Sequence, residues 1–190
     1  RTRDGLVVGE GAATLVLEAL DHAQARGAHI HAELVGWGTN CDGRHITNPD
    51  REGMAAVMRV ALADAGVAPD RIAFVSAHGT ATEAGDIAES LAMQDVFGER
   101  IPTSSLKSFM GHTLGACGAL EAWMTLEMQR EGWFGPTLNL DDPDPRCGRV
   151  DYVMGAPRRL DAEYVMKNNF AFGGVNTSLV FRRMDARSGA

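Results

Sequence analysis

Two histidines, a lysine and two threonines occupy positions from which a site can be built. In FVSAHGTATEAGD, residues 74 to 86, a run that reads as a buried strand ends on His78 and is followed by Gly79, Thr80 and Thr82. Ligands of open α/β sheets bind beyond the carboxyl ends of strands, so position alone makes His78 a candidate. The plain alternative is an imidazole that only hydrogen-bonds a neighbouring carbonyl at a strand end. Gly79 would let backbone approach a ligand, and Thr80 and Thr82 offer hydroxyls without charge, a lining suited to an amide-rich ligand arm.

The second constellation is SLKSFMGHTLGACGALEAWMTLEMQ, residues 105 to 129, with Lys107 and His112 ahead of a helix paved with small residues. Gly111, Gly115, Gly118, Ala119 and Ala122 recur at spacings of three or four, so another backbone can come close. Glycine in a helix costs about 0.8 to 1 kcal/mol relative to alanine, and burial of the helix would compensate without any chemistry. At a helix N-terminus the dipole disfavours protonation, so His112 is expected to be neutral and able to donate a hydrogen bond to a carbonyl, as enolate chemistry requires. Lys107 taken alone reads more readily as a surface lysine, since lysine is rarely buried unpaired. In KNNFAFGGVNTSLVF, residues 167 to 181, Phe172 is either a pocket wall or part of a hydrophobic corner before a Gly-Gly turn.

These residues need elements to hold them. DGLVVGEGAATLVLEAL reads as strand with a sharp bend, HAQARGA as a short helix ending at Gly27, and HAELVGWGTN as a strand. CDGRHITNPD carries the turn signals Asp42-Gly43 and Asn48-Pro49 and is expected to be a surface loop. From Arg51 to Ala65 the apolar positions Met54, Val57, Met58, Ala61 and Leu62 predict a helix closed by Gly66 and covering a sheet. RIAFVSA predicts a buried strand, Asp86 to Phe97 a helix, and IPTSSLK a short strand or its exit loop. LDDPDPRCG reads as a turn-rich connection, and VDYVMG, EYVMKNNFAF and VNTSLVFRR as two or three closing strands. Alternation followed by terminal strands predicts a layered α/β domain.

The 190 residues are 45% hydrophobic with 22 glycines, enough for one compact domain or a large piece of one. No run of eighteen apolar residues appears and RTRDG is no signal segment, so the chain is expected to be cytoplasmic, off the membrane, and truncated. Cys41, Cys117 and Cys147 are widely spaced with no CxxC pair, which argues for reduced thiols and against a disulfide framework or a metal site. A formal charge of -7 without a basic block disfavours nucleic acid as a partner.

Taken in order, the blocks resemble the β-ketoacyl-acyl carrier protein synthases. HGTATEAGD is similar to the family's HGT-x-T-x-x-GD motif, SLKSFMGHTLGACGALE to K-S-x-x-GH-x-x-GA-x-G, and NNFAFGGVNTSL to N-S-F-G-F-GG-x-N. RDGLVVGEGAATLVLE resembles RDGF-x-x-GEGAG-x-LVLE, so the likeness runs from Arg3 to Arg182. Three positions depart: Asn169 stands for the serine, Ala171 for the glycine before Phe172, and Cys117 for an alanine, which would suit an altered acyl pocket.

The resemblance implies the thiolase-like layered αβαβα fold, two α/β halves normally assembled as a homodimer. Residues 1 to about 33 would end the N-terminal half, and 34 to 190 would form the C-terminal half. It implies a decarboxylating Claisen condensation between an acyl-cysteine thioester and malonyl-acyl carrier protein, with no cofactor beyond the carrier's phosphopantetheine and no metal. His78 and His112 would stabilise the enolate oxygen, Lys107 would order the site with Glu121 as its partner, Phe172 would gate the pocket, and Thr80 and Thr82 would contact phosphopantetheine. The family's nucleophilic cysteine lies upstream of RDGLVVGEG, so the fragment alone is expected to be inactive; Cys41, Cys117 and Cys147 lack the small-residue elbow. Two other readings are a noncatalytic chain-length-factor partner with the same fold, and thiolase itself, which the two histidines fit less well.

Overall fold

The computed structural model describes residues 1 to 184. Its elements run α1 (Leu20–Ala25), β1 (Ala32–Cys41), α2 (Arg51–Ala65), β2 (Ile72–Ser76), α3 (Glu83–Phe97), β3 (Pro102–Ser104), α4 (Lys107–Met110) and α5 (Cys117–Glu131). They continue as β4 (Trp133–Phe134), β5 (Asp151–Tyr152), β6 (Arg158–Arg159), β7 (Tyr164–Phe170) and β8 (Val175–Arg183). The main sheet has the order β1-β8-β7-β2-β3-β5, and β4 pairs with β6 apart from it. Consecutive β7 and β8 form an antiparallel hairpin that β1 extends, whereas β2, β3 and β5 join in parallel through helical crossovers, as strands linked by helices must.

Period-two alternation divides the strands between two cores. Val75, Met166 and Val180 face one way and bury Met54, Met58 and Ala61 of α2 with Ala92 and Met93 of α3. Phe74, Val165 and Phe181 face the other way and meet Ala122 of α5 and Phe134. The chain therefore builds three layers, helix, sheet, helix. Asp50 caps α2 by accepting from the backbone of Gly53 at 2.8 Å, and Gly66 closes that helix in the left-handed conformation, as expected. The β1 glycines let α2 lie directly on the sheet: a Cβ on Gly36 would stand 2.6 Å from the carbonyl of Ala61, and one on Gly38 2.7 Å from that of Val57.

Several expectations need correction. Residues 1 to 19 contain no strand beyond an isolated parallel bridge from Val8 to His112, and Val7, Val8, Val16 and Leu17 are exposed. The residue types favour strand, but a strand needs a neighbouring backbone along its length, and among the described residues this stretch finds isolated backbone bonds to Ala81 and His112. Helix α3 starts at Glu83 rather than Asp86, because Thr82 already has extended N-cap geometry. Helix α5 starts at Cys117, five residues beyond His112, with a short 3-10 turn over Leu114–Ala116 between them. Cys41 ends β1 instead of lying in the loop, and VDYVMG contributes only the two residues of β5. Among the described residues, no helix is long and apolar enough to cross a membrane.

Gly36→Ala is expected to destabilise the protein by about 1 to 3 kcal/mol, since its methyl group meets α2 backbone that cannot yield locally. Denaturant unfolding of the full-length protein with unchanged m-value checks this, and a change within about 0.5 kcal/mol contradicts the close approach.

Candidate active site

The carboxyl ends of β2 and β7, the turn before α5 and the first turns of α5 converge on one cluster. His78 lies just past β2 and is buried, held by its backbone as well as its ring. Its N–H donates to Glu89 Oε1 and that of Gly79 to Oε2, both at 2.7 Å. Sequence reasoning missed Glu89, although it projects from the buried face of α3 two turns beyond the Thr82 cap. Burial raises its carboxyl to about 6, against the pull of those two backbone donors and the nearby lysines. Gly79 has φ of +37° and its Cβ position falls 2.6 Å from Ser105, so packing and backbone geometry require this glycine, not ligand approach.

Lys107 is buried rather than a surface lysine. Its Nζ donates to the carbonyl of His78 at 2.6 Å and to Glu121 Oε1 at 2.6 Å, and lies 3.2 Å from His78 Nδ1. An ammonium can only donate, so Nδ1 of His78 is the acceptor and its proton sits on Nε2. The pairing of Lys107 with Glu121 is thus present as expected. A second buried lysine, Lys167 of β7, lies 2.7 Å from Glu121 Oε2 and went unnoticed in the sequence, where it reads as the start of an ordinary strand.

His112 follows α4. Its backbone pairs with the N-terminal segment, donating to the carbonyl of Val7 at 2.7 Å and accepting from Gly9 at 3.0 Å. Its Nδ1 accepts from the backbone of Leu114 at 3.1 Å, a geometry that Leu114 reaches with φ of +52°. That leaves the proton of a neutral His112 on Nε2 as well. The two imidazole rings lie 5.2 Å apart, nearly perpendicular. Both are held below the usual imidazole range, His78 well below: burial is the main cause for each, and Lys107 comes next. The helix-terminus explanation for His112 is therefore replaced, because α5 begins too far along the chain and burial beside a cation supplies the effect.

A cavity of about 740 Å³ opens on this cluster. His78, His112, Thr80, Thr82, Asn169 and Phe172 all line it. The Thr80 and Thr82 hydroxyls are 2.9 Å apart and present a polar, uncharged wall. Phe172 is 69% exposed, so the hydrophobic-corner description fits Phe170 instead, which is buried with its ring 6.3 Å from that of His78. The turn carrying Phe172 is tied to the loop after β1: Asp42 N–H donates to the carbonyl of Gly174 at 3.1 Å, and Gly173 N–H to that of Ile46 at 2.9 Å.

Two of the three departures noted in the motifs meet here. Asn169 Nδ2 lies 3.3 Å from His78 Nδ1 and 3.5 Å from Cys117 Sγ. Gly118 makes room for that amide, since a Cβ there would approach Asn169 Oδ1 to 3.2 Å, while nothing lies within 4 Å of one on Gly115. Cys117 is buried at the first position of α5, and burial pushes its thiol up, opposite to what a nucleophile needs. Donor atoms of His78, Cys117 and Glu121 lie within 4.8 Å of one another, a spacing the linear sequence hides. The Lys107 ammonium already occupies the neighbourhood of two of them, so the local cation is the lysine's own.

Residues 31 to 141 match the family "Beta-ketoacyl synthase, C-terminal domain". A 3-oxoacyl-[acyl-carrier-protein] synthase 2 from Coxiella burnetii is 44% identical over 187 residues, covering 96% of this chain and 45% of the relative. A crystal structure of a beta-ketoacyl synthase from Burkholderia phymatum STM815 superposes with a TM-score of 0.96 at 62% identity, over 97% of this chain and 45% of that one. A type II polyketide synthase complex, a ketosynthase with its acyl-carrier protein and bound hexaketide, superposes at 0.83 with 36% identity, over 88% and 42% of the two chains. The chain spans about half the length of the curated relatives it matches. It belongs to the β-ketoacyl synthase family, with the layered thiolase-like α/β fold of that family and a match to its C-terminal domain.

Proposed function

We propose that this chain supplies the decarboxylation half of a 3-oxoacyl-acyl carrier protein synthase active site, with residues 1 to about 33 closing the N-terminal half and 34 to 190 forming the C-terminal half. The observation that carries the reading is the pair of imidazoles 5.2 Å apart, each with Nδ1 already accepting and each held neutral by burial and Lys107. Loss of carbon dioxide from a malonyl thioester places negative charge on the thioester oxygen. Two preorganised Nε2–H donors at that oxygen lower the barrier, because they are in place before the charge forms. The carbanion then attacks an acyl thioester on a cysteine contributed from upstream. Cys117, with its raised thiol, is no substitute, so the isolated fragment is inactive in condensation.

The other parts follow from chemistry. Phosphopantetheine is an amide-rich, uncharged arm, and Thr80 and Thr82 present hydroxyls along the cavity wall to receive it. Phe172, exposed at the cavity edge on a turn coupled to the loop after β1, acts as the gate between acyl and malonyl sides. The carrier protein is the partner, and the functional unit is a cytoplasmic homodimer without cofactor or resident metal. A noncatalytic chain-length-factor role is disfavoured, since such a partner has no use for His78, His112 and Lys107 brought together in one cluster.

The deciding experiment is acylation of the full-length protein with an acyl-carrier protein, read by intact mass and peptide mapping. An adduct on a cysteine preceding Arg1 is expected; a folded protein that takes no adduct moves the reading to the noncatalytic partner. His112→Ala is expected to slow malonyl-carrier decarboxylation by about 10² to 10³-fold while leaving acyl transfer nearly unchanged, because only the former develops charge at that donor. Equal losses in the two half-reactions would refute the assignment. Phe172→Ala is expected to alter acyl loading while keeping stability within about 0.5 kcal/mol, as its exposure dictates. A large fall in melting temperature with normal loading would return Phe172 to a packing role.

A further inference from the structure

Lys167 lies at the centre of the sheet with its side chain wholly buried, pairing in register with Ser76 of β2 and Leu179 of β8. Its Nζ is 2.7 Å from Glu121 Oε2, while Lys107 holds Oε1 of the same carboxylate at 2.6 Å. The contact is Coulombic: Lys167 gives its hydrogen bond to the carbonyl of Asn168, and Oε2 accepts none. Two ammonium groups are set against the Glu121 carboxylate beside His78, and with Glu89 the buried lysines and acids of the cluster balance two to two. The other acid nearby, Glu89 of α3, is turned to the backbone N–H groups of His78 and Gly79. The remaining titratable groups facing the cluster are His112 and Cys117, which bring no negative charge while the thiol stays protonated.

A buried lysine is expensive, and an uncharged side chain of similar length would fill the same space in the sheet without the desolvation penalty. Strand alternation places Lys167 and Asn169 on the α5 face of β7, where they bracket the chain of contacts from Glu121 through Lys107 to His78. We infer that Lys167 is a positioning residue that sets the charge of the site: by sharing Glu121 with Lys107 it balances the second buried carboxylate and keeps the field around His78 and His112 from turning negative, so that both imidazoles remain neutral donors. The directions of titration agree, since Lys167 contributes to lowering both imidazoles and ranks second, after burial, in lowering Lys107.

The inference rests on the proposed decarboxylation role, and its test separates the two. Full-length protein carrying Lys167→Met, with Lys167→Gln as a second variant, is compared with the unsubstituted protein by ¹³Cε1 imidazole NMR titration and by the pH profile of malonyl-carrier decarboxylation. A histidine whose folded pKa is depressed loses its neutral form as pH falls through that value. Removing a neighbouring positive charge moves the value up, so the acid limb moves to higher pH. The expected result is a higher titration midpoint for His78 and His112. Decarboxylation is then about tenfold slower on the acid limb for each unit of displacement, with the alkaline plateau and KM retained. Unmoved midpoints, or a rate lowered equally at every pH, overturn the inference. Failure of both uncharged variants to fold overturns it too, by making Lys167 a structural ion-pair member. Moved midpoints in a protein with no decarboxylation activity support Lys167 and defeat the functional reading instead.

Discussion

The site depends on a carboxylate with no access to water. Glu121 is wholly buried on α5, where Lys107 and Lys167 reach it from two different elements. Remove the carboxylate and two ammonium groups lose their shared partner in a dry core; remove the lysines and the carboxylate is a buried charge without one. Each member is costly alone, so the arrangement locks α4, α5 and β7 together at the end of β2. From Lys107 the constraint passes to His78 through both its carbonyl and its ring nitrogen. The histidine's tautomer is thereby a property of the core.

Such a design explains why helix, sheet and loop contribute so unequally. The sheet carries cost and order: Phe74 and Val75 on β2 send their side chains to opposite cores and leave His78 at the exit. The helices supply counter-charges from their buried faces, Glu89 from α3 and Glu121 from α5. The turns supply geometry. Leu114 with its positive φ orients His112, and the turn after Phe172 leaves an aromatic ring standing at the cavity edge. Neutral imidazoles, polar hydroxyls and an exposed phenyl ring then share one opening.

Much of this was legible from the residues. The periodicity of Met54, Val57, Met58, Ala61 and Leu62 marked α2 to the residue, and Gly66 marked its end. HGTATEAGD and the Lys107–His112 spacing brought the right side chains to one place because strand ends and pre-helical turns are where open α/β sheets place function. Lys167 and Glu89 were not legible. A lysine in YVMKNNF and a glutamate in IAESLAMQ look like ordinary polar positions until the register puts one on Glu121 and the other under two backbone amides. The N-terminal stretch misled for a complementary reason: residue type reports a preference for extended structure, whereas a strand exists only where another backbone accepts it.

The same stretch has a consequence for assembly. The short bridge between Val7, Gly9 and His112 means that one of the two imidazoles takes its backbone position from a segment more than a hundred residues earlier in the chain. An early part of the polypeptide thus lies as a strap across a late one. Seating the strap and fixing the backbone of His112 are therefore one event.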